Sequence, residues 1–149
     1  MSENEKRLTG RRRSREDAFL LVFEKSFFDD SMEDIIERAI EARQIRADEF
    51  TVRLASGVYQ NLDAIDSRIE EFSIGWKLAR LSKVVISILR LSAFEILYCA
   101  EDVPAGVSIN EAVELAKKYG CAEDPSFING VLGSLSRKLN VKKEELETV

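Results

Sequence analysis

Four arginines stand in five positions, Arg11, Arg12, Arg13 and Arg15, at the start of a stretch that reads as helix. Counted back to Lys6, the segment 6–15 holds Lys6, Arg7 and these four, and no acid. The chain carries −5 overall, so the remainder carries −11 against this +6. Cations at a helix N-terminus oppose the macrodipole, by about 0.3–1 kcal/mol each. A sequence shaped for stability alone would put acids there. The free N–H groups of a first helical turn attract phosphate as well. A basic arm on an acidic body points to a polyanionic ligand, nucleic acid above all. A solvated run of charge is the plainer account of the same residues.

A second group is Lys117, Lys118 and Tyr119, with the loop that leads to Phe127. Single-stranded nucleic acid suits such a mixture, because bases stack on rings while phosphates pair with cations. Packing is the simpler role for Tyr119 and Phe127. A third group is the stripe Phe19, Phe23 and Phe27, repeating at i, i+4 and i+8, beside a second stripe of Ala18, Leu21, Val22 and Lys25. Either the helix buries a wide face, or part of the phenylalanine stripe receives a protein partner.

Other chemistries find little support. No histidine is present, which removes the commonest metal ligand and general base. There is no Gly-rich phosphate loop, nucleophile elbow or cysteine pair at ligand spacing. Neither catalytic residues, metal nor cofactor is expected. Cys99 and Cys121 form no disulfide framework, and the N-terminal MSENEKRLTG has no secretory character. Reduced thiols and a cytoplasmic setting are expected.

The elements that must position these residues are helical. Ser82 to Ala100 is the most apolar run, read as one helix capped by Ser82 and buried on all sides. Arg90 and Glu95 interrupt it and disfavour a membrane span. Five residues apart, they need separate partners on other helices. Before it, the spacing predicts a helix over 10–28, another over 32–43 with Ile35, Ile36, Ala39 and Ile40 inward, and one long helix from Asp48 to Phe72. After it, Ser108 to Glu111 matches a capping box for a helix ending at Gly120, and Asp124-Pro125 starts the last helix. The expected class is all-α, about seven helices around the apolar one. A single domain over 10–140 is expected, flanked by a disordered tail over 1–9 and a charged tail over 141–149.

RRRSRE before an apolar helix, RLSKVVISILRLSAFEIL, DVPAGVSINEAVELAKKYG and FINGVL resemble, in order and spacing, the NusB family of bacterial transcription antitermination factors. The resemblance covers about residues 11–139. It implies a helical bundle of two subdomains without catalytic activity. It implies binding of boxA-type single-stranded RNA from ribosomal RNA operon leaders, together with a NusE-type small-subunit ribosomal protein, within an RNA polymerase antitermination complex. The family's arginine-rich start maps onto Arg11, Arg12, Arg13 and Arg15, the arginine of its L-x-R-L turn onto Arg80, and its loop before the last helix onto Tyr119 to Phe127. Its partner face maps onto Phe23 and the central helix near Val85. Here Val85 and Ile86 stand where many members carry charge, and Ser126 where many carry lysine. An apolar face of this kind can also pair with its own copy as a homodimer. The rival reading is a helical protein-interaction module whose basic arm contacts an acidic partner.

Overall fold

The computed structural model describes the backbone of residues 3–147 and the side chains of residues 10–140. Those residues form seven α-helices, a 3-10 turn and no strand: α1 (Glu3–Lys25), α2 (Met32–Glu41), α3 (Glu49–Gln60), α4 (Leu62–Phe72), the turn Leu78–Arg80, α5 (Lys83–Tyr98), α6 (Ala105–Tyr119) and α7 (Asp124–Glu147). The class is all-α, and the chain divides after Asn61 into two compact units. Helix α1 begins before Gly10, the residue at which its start was expected. Of the two expected tails, Met1, Ser2, Thr148 and Val149 lie outside the described residues, as do the side chains of residues 3–9 and 141–147.

In the first unit α1 packs on α3, and α2 packs on both. Ser31 caps α2 by accepting from the Asp34 N–H at 3.1 Å, and Asp48 caps α3 by accepting from the Thr51 N–H at 2.8 Å. Ala18, Leu21, Val22, Ile35, Leu54 and Val58 fill the core. On α2 the inward set is Met32, Ile35, Ile36 and Ala39, whereas Ile40 is exposed. The expected long helix from Asp48 to Phe72 is two helices. Its ladder ends at Asn61, whose side-chain amide donates to the Gly57 carbonyl at 2.9 Å. An asparagine that bonds its own backbone in this way competes with the helix.

In the second unit α5 packs on α4, α6 and α7. Ser82 caps it through the Val85 N–H at 3.1 Å, and its residues from Val85 to Leu89 are buried without a break. Arg90 and Glu95 find partners on different helices, as their spacing requires. Arg90 Nε and Nη2 each donate to the Asp66 carboxylate of α4 at 2.9 Å, a two-pronged bond. Glu95, 1 % exposed, accepts from Ser108 Oγ of α6 at 3.3 Å. That bond overturns the capping box expected at Ser108. Helix α6 starts at Ala105 behind Pro104, and Ser108 lies inside it, fully buried. The buried Glu95 needs a donor, and the hydroxyl supplies one. Gly120 ends α6, and Asp124 accepts from the Cys121 N–H at 2.7 Å across the turn into α7. Among the described residues no helix is long and apolar enough to cross a membrane.

Candidate nucleic-acid and partner surfaces

The arginine turn lies on α1, and its exposure alternates with the helical period. Because α1 begins at Glu3, the arginines stand about two turns inside the helix. The free N–H groups expected beside them therefore belong to an earlier turn, and the cluster acts through its side chains. Arg12 and Arg13 are exposed, Arg11 is half-buried, and Arg15 is only 3 % exposed. Arg15 thus departs from the expected row of four ligand-facing cations. It faces the same side as Arg11, four residues earlier. Both guanidiniums lie over the Phe50 ring of α3, at 4.7 Å for Arg11 and 5.4 Å for Arg15. Ser14, between them, donates to Asp48 at 2.5 Å, and Thr51 Oγ1 donates to the Ser14 carbonyl at 3.3 Å. Burial alone would raise the Asp48 carboxyl, but hydrogen bonds from Ser14, from the Thr51 N–H and hydroxyl and from the Phe50 N–H together hold it below its ordinary 3.8. Burial raises Asp17, one turn after Arg13, against the opposing pull of that arginine.

In the second unit the expected residues are spread along the turn from α6 to α7 and the turn before α5. Lys117 and Lys118 are exposed in the last turn of α6, where cations suit the macrodipole. Lys117 pairs with Glu114 at 3.2 Å, and the Lys118 ammonium lies 5.5 Å from the Tyr119 ring. Arg80 is exposed at the end of the 3-10 turn. Arg80 and Phe127 line one hollow of about 400 Å³ with Trp76, Ser82, Val85 and Glu123. Lys117, Lys118 and Tyr119 do not line it. Trp76, 54 % exposed, went unnoticed in the sequence beyond its place in a turn. The available signal was a lone tryptophan directly after Gly75, in a segment with no apolar period to bury it.

The phenylalanine stripe runs from the core to the surface. Phe19 is 1 % exposed and stacks on Phe23, which is half-buried and meets Phe27 edge-on at 5.0 Å. Phe27 is 54 % exposed, as is its neighbour Phe28. Phe19 is thus a core residue, and the accessible part of the stripe is Phe23 and Phe27. Val85 also departs from expectation. It sits in the first turn of the most apolar helix, 4 % exposed, and offers a partner almost no surface. Among the described residues no three His, Cys, Asp or Glu side chains are grouped to hold a metal, and both cysteines are free.

The family model that matches residues 12–137 is that of the NusB family. The chain belongs to the NusB family. The match takes in Arg12, Arg13 and Arg15 of the arginine turn, the α5 helix and the α6–α7 turn, and Arg11 lies one residue before it. Transcription antitermination protein NusB of Acetivibrio thermocellus is 44 % identical over 85 % of this chain and 88 % of its own length. Its counterpart in Clostridium acetobutylicum is 46 % identical over 84 % and 93 %. Among solved structures, T. maritima NusB superposes with a TM-score of 0.78 at 36 % identity, covering 85 % of this chain and 90 % of that one. A crystal structure of antitermination factors NusB and NusE in complex with double-stranded RNA matches at 0.76 and 25 % identity, over 86 % and 96 %.

Proposed function

We propose that this chain is a transcription antitermination factor that binds boxA-type RNA of ribosomal RNA operon leaders together with a NusE-type ribosomal protein. It acts in the cytoplasm, as an adaptor that joins RNA to an RNA polymerase antitermination complex, by binding and not by catalysis. The observation that carries this reading is the exposed pair Arg12 and Arg13 in the arginine turn of a NusB-family chain. Like charges crowded on one helical turn repel each other, and both side chains lie at the surface, which is the pattern of a phosphate contact. Arg11 adds to it from the same turn. On the second unit, Arg80, Lys117 and Lys118 supply phosphate contacts and Tyr119 and Phe127 stack on bases. Phe23 and Phe27 receive the NusE-type protein, and without it the same apolar surface pairs two copies of the chain.

The test is a titration of the purified chain with boxA-type RNA and a scrambled control, with and without the NusE-type protein. The expected result is preference for boxA-type RNA and tighter binding when the protein partner is added. Equal affinity for both RNAs, with no gain from the partner, would overturn the reading. Binding to an acidic protein but to neither RNA would instead establish a protein-interaction module.

A further inference from the structure

We propose that Phe50 is a positioning residue for RNA binding, one that holds the Arg11 guanidinium in place for a phosphate of the bound strand. The proposal rests on the RNA reading above and assigns work within its arginine turn. Four observations converge on it. Phe50 lies in the first turn of α3, two residues after the cap Asp48. Its ring carries the Arg11 and Arg15 guanidiniums at 4.7 and 5.4 Å, both within the range of cation–π attraction. Asp48 accepts from Ser14, so the cap of α3 is also bound to the helical turn between those two arginines. Thr51 donates to the Ser14 carbonyl and closes a second bond to the same residue. The segment Asp48 to Thr51 thus registers α1 against α3 at one point.

The two arginines over the ring do different things there. Arg15, almost fully buried, lies over the ring and is closed to a ligand. Arg11 keeps part of its surface exposed, which leaves it open to a ligand. A guanidinium held over a ring can still offer N–H donors, arranged as a fork that fits two phosphate oxygens. A free arginine side chain must give up rotamer freedom when it binds, and one held on a ring has already given up part of it. Arg12 and Arg13, on the exposed side of α1, serve as the comparison within the same turn.

A double-mutant cycle on the full chain tests this, with boxA-type RNA as the probe and affinity measured across a range of salt. The variants are Arg11→Ala, Phe50→Leu, the two combined, and Phe50→Tyr as the aromatic replacement. Phe50→Leu should weaken binding about fivefold and make the log-affinity against log-salt slope shallower by up to about 0.7, one phosphate contact on a single strand. Phe50→Tyr should stay within about twofold of the parent. The combined variant should bind no more weakly than Arg11→Ala, because the ring acts through that arginine. Independent losses that multiply, or Phe50→Tyr falling with Phe50→Leu, would overturn the proposal.

Nuclear magnetic resonance of the parent chain supplies a measurement that needs no variant to fold. The Arg11 side-chain N–H resonance should shift on RNA addition, and its failure to move at saturation would overturn the proposal. Parent binding that is sensitive to Arg12→Ala with Arg13→Ala, beside an additive Arg11 and Phe50 cycle, removes the role of Phe50 and leaves the RNA reading standing. A parent that binds no RNA removes both.

Discussion

Ser14, Asp48 and Thr51 in the first unit, and Arg90, Asp66, Glu95 and Ser108 in the second, each tie two or more helices together through polar side chains. In the first unit the bonds lie beside the arginine turn; Ser14 and Thr51 are buried, and the network reaches solvent at Asp48. In the second they fix α5 from inside, through α4 and α6, with Glu95 and Ser108 almost wholly buried. A buried polar bond mainly protects the fold, because a group left without its partner cannot turn to water. A bond behind a surface turn mainly protects geometry that a ligand uses. Loss of the inner network should therefore appear as lost stability with RNA affinity kept. Loss of the outer one should appear as lost affinity at modest cost in stability.

The largest expected effect falls on the inner network. Arg90→Leu leaves Asp66 without its two-pronged partner. Breaking a fully buried pair costs about 3–5 kcal/mol, but these side chains are about one-fifth exposed, so water compensates in part. The expected loss is about 2–3 kcal/mol, read by chemical denaturation, with RNA affinity of the folded fraction unchanged. A denaturation curve like the parent's would mean the pair holds nothing.

Next comes Arg12→Ala with Arg13→Ala, which sharpens the contrast by acting only on the ligand. RNA binding should weaken about tenfold at moderate salt, at roughly threefold for each phosphate contact. Melting temperature should stay within about a degree, since both side chains are exposed and the lost attraction of Arg13 for Asp17 is offset by the helix preference of alanine. A clear drop in melting temperature would place these arginines in the fold.

Asp48→Ala should show both effects, each smaller. Removing a cap costs about 1 kcal/mol, and freeing Ser14 loosens the arginine turn, so affinity falls as well. Its pH dependence has a definite sign. The folded carboxyl titrates below its ordinary 3.8, so its contribution to stability is present above that value and is lost as pH falls through the folded value. The difference in stability between parent and variant should therefore narrow below about pH 3.8 and be constant above it. A difference that widens in acid would contradict the assigned bonds.

The smallest effect is expected at Ser87, whose buried hydroxyl has no hydrogen-bond partner among the described residues. Ser87→Ala should stabilise by about 0.5 kcal/mol by removing the unsatisfied group. No change in RNA binding is expected. A destabilised variant would show that the hydroxyl has a partner, such as a buried water.

Much of the fold was legible because its signals are local. Ser31, Asp48 and Ser82 cap the helices that follow them, and Gly120 ends α6, each through chemistry carried within four residues. The separate partners of Arg90 and Glu95 followed from their spacing on one helix. Features that depend on tertiary contact were hidden. Ser108 has the sequence pattern of a cap, and only the approach of Glu95 from α5 turns it into a buried donor. Asn61 breaks a helical period that continues undisturbed on both sides of it. At the candidate site, composition marked the arginine turn but could not rank its members. Arg15 is buried because Phe50, thirty-five positions later in the chain, comes to lie under it. Phe19 was expected at a partner surface from its place in the phenylalanine stripe and Val85 from the family's partner face, but their apolar character places both in the core.

The most direct measurement of the central claim is the salt dependence of boxA-type RNA binding for three chains: the parent, Arg12→Ala with Arg13→Ala, and Lys117→Ala with Lys118→Ala. The lysines are already engaged in part, Lys117 by Glu114 and Lys118 beside Tyr119. With the arginine turn as the main contact, the arginine variant should lose about 1.4 from the slope of log-affinity against log-salt, at about 0.7 for each contact, and the lysine variant clearly less. A lysine variant with the larger loss, or three equal slopes, would contradict the assignment of the arginine turn as the main RNA contact.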